Sequence, residues 1–427
     1  MAINVGLIGC GTVGSGVVEL LKRNAFDIAH RCGEPINLVK VLEIDQAKLK
    51  LAGVSPELHA ADINDIVGDD DINVVVEVMG GIEPARTYIL EAMRRGKNVV
   101  TANKDLIAVA GGELLDTAAE FGVDFMFEAS VGGGIPVIAP LKQSLPGNRM
   151  QQVIGIVNGT TNYILTKMSR EGSDFSTVLA EAQRLGYAEV DPTSDTEGID
   201  AARKITILAS IAFNSRLTLG DVYVEGITRI TPQDINYGRE LGYTVKLLAI
   251  AKEIDGKIQV RVHPAFLPNH HPLAAVSGVF NAIFMTGDAV GDVMLYGRGA
   301  GKEPTASAVV GDLMEISRNL KHHSTGRIGC TCYEHKVVLP IDELTSKYYL
   351  RMTVIDRPGV LATIAGVFGA NNVSLASVLQ KTSGQAAQLI LITHRVKEAN
   401  LQDSLAVLKG LSMVDSIENV IRVEGDE

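Results

Sequence analysis

The first fourteen residues constrain this chain more than any other stretch. Ile3-Asn4-Val5-Gly6-Leu7-Ile8 reads as a short buried strand, Gly9-Cys10-Gly11-Thr12-Val13-Gly14 follows at once, and Val17 to Arg23 reads as a helix. A G-x-G-x-x-G run set between strand and helix is a nucleotide-binding turn. Gly9 permits the tight bend, Gly11 lets the backbone approach a pyrophosphate, and Gly14 lets helix pack on strand. The helix N-terminus, with its unpaired N–H groups, then favours the phosphate charge.

The pattern repeats down the chain. Strands are expected at Leu38–Leu42, Val74–Val78, Asn98–Thr101 and Asp124–Phe127, with helices around Pro84–Arg95 and Glu113–Phe121. This alternation predicts an α/β fold with a doubly wound, mostly parallel sheet. In such sheets the carboxyl ends of the strands face the ligand crevice, which aims Asn103 and Lys104 at cofactor or substrate. The second strand ends at Glu43-Ile44-Asp45. An acid there bonds a ribose 2′-hydroxyl and repels a 2′-phosphate, so NAD is favoured over NADP, although Lys48 and Lys50 stand close by. Glu128-Ala129-Ser130-Val131-Gly132-Gly133-Gly134-Ile135-Pro136 pairs a carboxylate with a glycine run that can turn several carbonyls toward one cation; a plain interdomain hinge is the alternative.

A second constellation lies in mid-chain. From Glu189 to Asp200, twelve positions hold five acids: Glu189, Asp191, Asp195, Glu197 and Asp200. An apolar helix with Lys204 at its mouth follows. On that helix Asp200, Lys204, Leu208 and Ile211 share one face. Charge on a stripe meant for burial is expensive unless paired or used. Read blandly, Asp200 and Lys204 are an exposed i,i+4 pair worth a few tenths of a kcal/mol.

Strands are expected next at Met150–Val157, Asp221–Val224 and Val260–Val262. Tyr296–Thr305 reads as a second glycine-rich loop, before a helix Ala306–Leu320 whose N-terminus can return to the nucleotide phosphates. After Tyr348 the order is strand, helix, strand, strand, helix, strand, a small α+β fold. The expected domains are 1–135 (dinucleotide binding), 136–325 (substrate binding and dimerisation, α+β), a 326–346 linker, and 347–427. His322, His323, Cys330, Cys332 and His335 cluster in the stretch before that last domain without the paired spacing of a zinc site, so a solvated linker is the preferred reading.

A net charge of −11 argues against nucleic acid or an anionic membrane surface as partner. No apolar run approaches the roughly 20 residues of a membrane span. Four cysteines in 427 residues make no disulfide framework. With no signal peptide evident at Met1, a cytoplasmic enzyme is expected.

Together with Thr101-Ala102-Asn103-Lys104 and Gly155-Ile156-Val157-Asn158-Gly159-Thr160-Thr161-Asn162, these motifs resemble homoserine dehydrogenase in its bacterial form with a C-terminal ACT domain (ferredoxin-like). The resemblance covers essentially the whole chain. It implies interconversion of L-homoserine and L-aspartate 4-semialdehyde with NAD or NADP, in threonine and methionine biosynthesis. Lys204, supported by Asp200, would be the proton donor and acceptor, and Glu189 and Asp200 would hold the substrate amino group. Lys104 would lie beside nicotinamide and substrate, and Gly9, Gly11, Thr12, Val13, Gly14, Asn103 and Gly301 would meet the cofactor. Glu128, Val131, Gly133 and Ile135 would bind a monovalent cation, Na+ or K+, the last three through backbone carbonyls. The resemblance also implies a homo-oligomer, dimer or tetramer; L-threonine as effector of the ACT domain is the further expectation. Residue chemistry agrees, since hydride transfer to an aldehyde creates alkoxide character that a positioned ammonium can protonate. Thr160, Thr161 and Asn162 are expected at the substrate carboxylate. The competing readings are a related amino-acid dehydrogenase and a non-catalytic, NAD-dependent amino-acid sensor.

Overall fold

Five parallel strands form one sheet of the computed structural model, which describes residues 2–383 and 386–425. β1 (Ile3–Ile8) lies between β2 (Ile36–Leu42) and β3 (Val74–Glu77), and β4 (Asn98–Thr101) and β5 (Phe125–Met126) complete the order β2-β1-β3-β4-β5. Every pairing is parallel. The direction of travel across the sheet reverses at β1, which puts the topological switch point at the end of the glycine-bearing strand. Val5, Leu7, Val74, Val76 and Val100 are buried against Val17 and Leu21 of the first helix and against Val309, Leu313 and Ile316 of the helix Lys302–Lys321. Apolar runs buried on both faces are what a covered parallel sheet requires, and each such side chain contributes about 1.5–3 kcal/mol.

Two elements differ from expectation. The helix expected at Glu113 begins at Lys104 and runs to Phe121. Gly111 and Gly112 are poor helix formers, but the Asn103 cap and the buried Leu106, Ile107 and Leu114 carry the helix through them. Part of the second glycine-rich loop is strand: Gly291–Arg298 pairs with Phe280–Gly287 as a hairpin. Residues 1–153, 203–221 and 281–336 make one compact unit, and 154–202, 222–280 and 337–427 make a second.

In the second unit, Tyr243–Ile254 and Lys257–Pro268 form a long antiparallel hairpin. Its turn is Asp255-Gly256, with φ of 50° and 75°, the pair of left-handed residues that a tight hairpin demands. The C-terminal βαββαβ fold follows the expected order, around a core of Tyr348, Leu350, Met352, Ile364, Phe368 and Leu401. Its last strand, Val414–Val423, does more than close that fold. Arg422 and Val423 pair in parallel with Ala265 and Phe266, so the sheet continues into the hairpin.

Buried charges reinforce this seam. Asp234 is fully buried and accepts from Arg351 Nε at 2.6 Å, Tyr349 Oη at 3.1 Å and Asn419 Nδ2 at 2.9 Å. Glu424 accepts from Arg261 at 2.6 Å, and Arg261 Nε donates to His263 Nε2 at 3.1 Å. Since Nε2 accepts, the His263 proton sits on Nδ1, 3.0 Å from Pro264 O, and the ring is neutral. Burial first, then Arg422 and Arg261, push its pKa down to about 3. A folded value below the unfolded one means this stability is complete above about pH 6.5 and declines as pH falls. The unfolding free energy should therefore drop by about 2 kcal/mol between about pH 6.5 and about pH 5. Chemical denaturation of the native chain and of His263→Gln checks this, because the variant should lose most of that slope.

Candidate active site

The glycine turn is built for close approach. Gly9 has φ 93°, and a Cβ on Gly14 would stand 2.1 Å from Gly9 O, so only glycine lets helix Thr12–Arg23 start where it does. A Cβ on Gly11 would meet nothing within 4 Å. Gly11 is therefore not needed for packing, and the open space beside it suits a phosphate approaching the backbone. Glu43 closes the far side: its carboxylate accepts from Cys10 N at 2.8 Å and from Asp45 N at 3.1 Å. Asp45 is occupied as the cap of helix Gln46–Leu51. Gly301 caps helix Lys302–Lys321, whose Lys302 carbonyl lies 2.8 Å from where a Gly16 Cβ would be. The second glycine loop thus returns to the first helix. These features fit a dinucleotide.

Lys104 is placed by a chain of bonds at the ends of β3 and β4. Glu77 Oε2 accepts from Thr101 Oγ1 at 2.7 Å, Thr101 Oγ1 accepts from Asn103 N at 3.0 Å, and Asn103 Oδ1 caps the helix through Leu106 N at 3.1 Å. Asn103 Nδ2 also donates to Gly81 O at 2.6 Å. Asn103 thus anchors the helix start that presents Lys104. Next to Lys104, Asp105 pairs with Arg203 at 3.0 Å, and Arg203 precedes Lys204. The same compact unit therefore ties the start of the Lys104 helix to the Lys204 segment.

The acidic segment is organised by Asn158. Its Nδ2 donates to Asp195 Oδ1 at 2.7 Å and to Asp200 Oδ2 at 2.9 Å, while its Oδ1 accepts from Thr161 N at 2.9 Å and so caps helix Gly159–Glu171. The sequence reading gave Asn158 no role, although an Asn before Gly-Thr-Thr is a readable cap. Glu189 is exposed, with its carbonyl held by Gln183 Nε2 at 3.0 Å. Asp200 and Lys204, 6 % and 8 % exposed, lie one turn apart on helix Ile199–Ala212, so the bland reading of a solvated pair does not describe them. Thr161 and Asn162 do not stand ready for a substrate carboxylate. Both are 1 % exposed; the Thr161 hydroxyl donates to Asn158, and Asn162 bonds Phe280 O and Lys246. Burial pushes Lys246 down to about 8. Of the three expected at the carboxylate, Thr160 alone lies outside the core, donating to Tyr187 O at 2.7 Å.

At the cation motif, Gly132 and Gly133 have φ of 75° and 56°, which curls the backbone of Val131 to Ile135. The Glu128 carboxylate is already engaged by the amides of Val137, Ile138 and Ala139 at 2.6, 2.8 and 2.6 Å. Burial pushes its pKa up in spite of those amides. Glu128 therefore has its backbone carbonyl, rather than its carboxylate, to offer an ion. A cavity of 460 Å³ is lined mainly by apolar groups, among them Ile107, Phe127, Ile207 and Ile211, with Cys330 and Cys332 at its wall. Its arginines, Arg86 and Arg216, are paired with Glu113 and Asp116. It has no acid–base pair to spare, so chemistry favours the lysine-bearing segments.

Two substitutions separate binding from packing in the glycine turn. Gly11→Ala should keep the native melting temperature while weakening nucleotide binding about tenfold or more. Gly14→Ala should cost on the order of 1–3 kcal/mol of stability through overpacking. Calorimetric titration and thermal melting together distinguish the two.

Comparison with known proteins agrees with this geometry. Residues 9–128 match the family model described as homoserine dehydrogenase, NAD binding domain; 136–314 match homoserine dehydrogenase; and 348–412 match the ACT domain. The chain is 45 % identical to homoserine dehydrogenase of Bacillus subtilis over 430 residues, covering 100 % of this chain and 99 % of that one. It is 46 % identical to the Corynebacterium glutamicum enzyme, covering 100 % and 96 %. The crystal structure of a homoserine dehydrogenase from Thiobacillus denitrificans superposes with a TM-score of 0.95 at 41 % identity, over 99 % of this chain and 98 % of that one. A hyperthermophilic archaeal homoserine dehydrogenase solved in complex with NADPH superposes with a TM-score of 0.63 at 30 % identity, over 75 % and 98 %. The chain therefore belongs to the homoserine dehydrogenase family, as an oxidoreductase with an NAD-binding domain and a C-terminal ACT domain.

Proposed function

We propose that Lys204 is the group that gives and takes the proton at the substrate oxygen, and that Glu189 and Asp200 bind the substrate amino group. The observation that carries this is the buried Asp200, held by Asn158 one helical turn from Lys204. The bound nicotinamide supplies or accepts the hydride. In the reducing direction the semialdehyde carbonyl gains alkoxide character, and the Lys204 ammonium donates a proton to that oxygen. In the oxidising direction neutral Lys204 removes the hydroxyl proton from homoserine. Lys104, at the N-terminus of its helix, adds positive charge near the reacting oxygen.

Gly9, Gly11, Thr12, Val13 and Gly14 hold the pyrophosphate, with Asn103, Lys104 and Gly301 completing the cofactor site. NAD is the preferred cofactor in this reading, because the Glu43 carboxylate occupies the ground beside the turn where a 2′-phosphate would bring like charge. The archaeal relative in complex with NADPH shows the other choice within the family, so Glu43 is the residue to vary. A monovalent cation, Na+ or K+, binds the backbone carbonyls of Glu128, Val131, Gly133 and Ile135 and stiffens that loop. L-threonine acts at the ACT domain of a dimer or tetramer in the cytoplasm, as feedback on the route that consumes homoserine.

Absorbance at the reduced-nicotinamide band, read with aspartate semialdehyde and either NADH or NADPH, tests the reaction and the preference together. Turnover faster with NADH, and a preference that narrows in Glu43→Gln, are the expected results. Cofactor binding with no turnover on either would favour the sensor reading instead.

A further inference from the structure

Arg422 belongs to the last strand of the ACT domain, yet its guanidinium reaches out of that domain. Nε and Nη2 donate to Glu398 Oε2 at 3.0 and 2.9 Å, and Nη1 donates to Glu225 Oε1 at 2.7 Å. The Tyr223 ring lies 5.1 Å from the guanidinium, and its hydroxyl donates to Glu225. Burial pushes the Glu225 carboxyl up, but its neighbours, Arg422 first among them, together bring it below the usual carboxylate range. The pair is ionised, with the Arg422 side chain buried and the Glu225 side chain 36 % exposed, so loss of Glu225 leaves the buried guanidinium with Glu398 as its remaining carboxylate.

Glu225 opens a turn that lies directly against the acidic segment. Glu225 N donates to Val262 O and Ile227 N donates to Thr196 O, both at 2.8 Å. Between them, Gly226 is pressed so close that a Cβ would stand 2.4 Å from Thr196 O and 2.6 Å from Glu197 Cα. The backbone of 225–227 is thus a floor under Thr196 and Glu197. Those residues lie between Asp195 and Asp200, the two carboxylates that Asn158 holds.

We propose that Glu225 and Arg422 are positioning residues for amino-acid binding. Their ion pair fixes the 225–227 turn, the turn fixes Thr196 and Glu197, and these set the start of the helix that carries Asp200. The ACT domain then supports substrate affinity through Arg422 even with no effector present. This inference rests on the reading of Glu189 and Asp200 as substrate ligands.

The test uses the full chain with Glu225→Gln and Glu225→Asp, measuring steady-state kinetics, NADH affinity, melting temperature and hydrogen exchange. Glu225→Gln should raise the KM for aspartate semialdehyde about tenfold. It should leave kcat and NADH affinity close to native and speed exchange at the Ile227 amide, while Glu225→Asp should recover most of the loss. An unchanged KM would overturn the proposal, with or without faster exchange. So would a loss of kcat and NADH affinity that merely tracks a lower melting temperature. Glu189→Ala separates the two readings. If it leaves KM unchanged, the substrate assignment itself fails; if it raises KM while Glu225→Gln does not, only the positioning role fails.

Discussion

The site depends on a single amide. Asp195 and Asp200 both reach the side chain of Asn158, and two carboxylates brought to one place repel unless a donor serves each. Asn158 serves both with its NH2 group, and the carbonyl of the same amide caps the helix that follows. An aspartate could cap but not donate, and a serine could not reach three partners. This one residue therefore couples the end of the strand Met150–Ile156 to the start of the helix carrying Asp200 and Lys204.

What the sequence made legible was whatever local chemistry dictates. The strand–turn–helix at Ile3–Arg23, the helix-sharing Asp200 and Lys204, and the six elements of the C-terminal fold are all encoded by neighbours in the chain. Two features were not legible, for one reason: their partners are remote. The pairing of Arg422 with Ala265 is invisible to any periodicity. The engagement of Thr161 and Asn162 within the core depends on Asn158, Lys246 and Phe280, and polar residues in a motif look alike whether they face a ligand or a neighbour.

The ACT domain looks detachable in sequence, with its own core and a preceding stretch of mixed polar residues. In the fold its final strand extends the sheet of the preceding hairpin, and Asp234, Arg351, Glu398, Arg422 and Glu424 are buried in the same unit. Buried ion pairs contribute little net stability, because desolvation offsets their attraction. Their effect is on register: Arg261–Glu424 joins the hairpin to the end of the last strand, Asp234–Arg351 joins helix Pro232–Glu240 to the C-terminal sheet, and a slip would strand a charge. A domain joined in this way transmits changes in its own strands to the elements it touches.

The central claim is that Lys204 moves the proton, and the most direct test is Lys204→Ala in a two-part measurement. Nicotinamide binding, followed by fluorescence, should stay within about twofold of native, because no bond of the glycine turn is altered. Reduction of aspartate semialdehyde should fall by about a thousandfold, the scale of losing a positioned acid–base group. Near-native turnover in that variant would contradict the account and move the proton donor elsewhere, with Lys104 the first alternative.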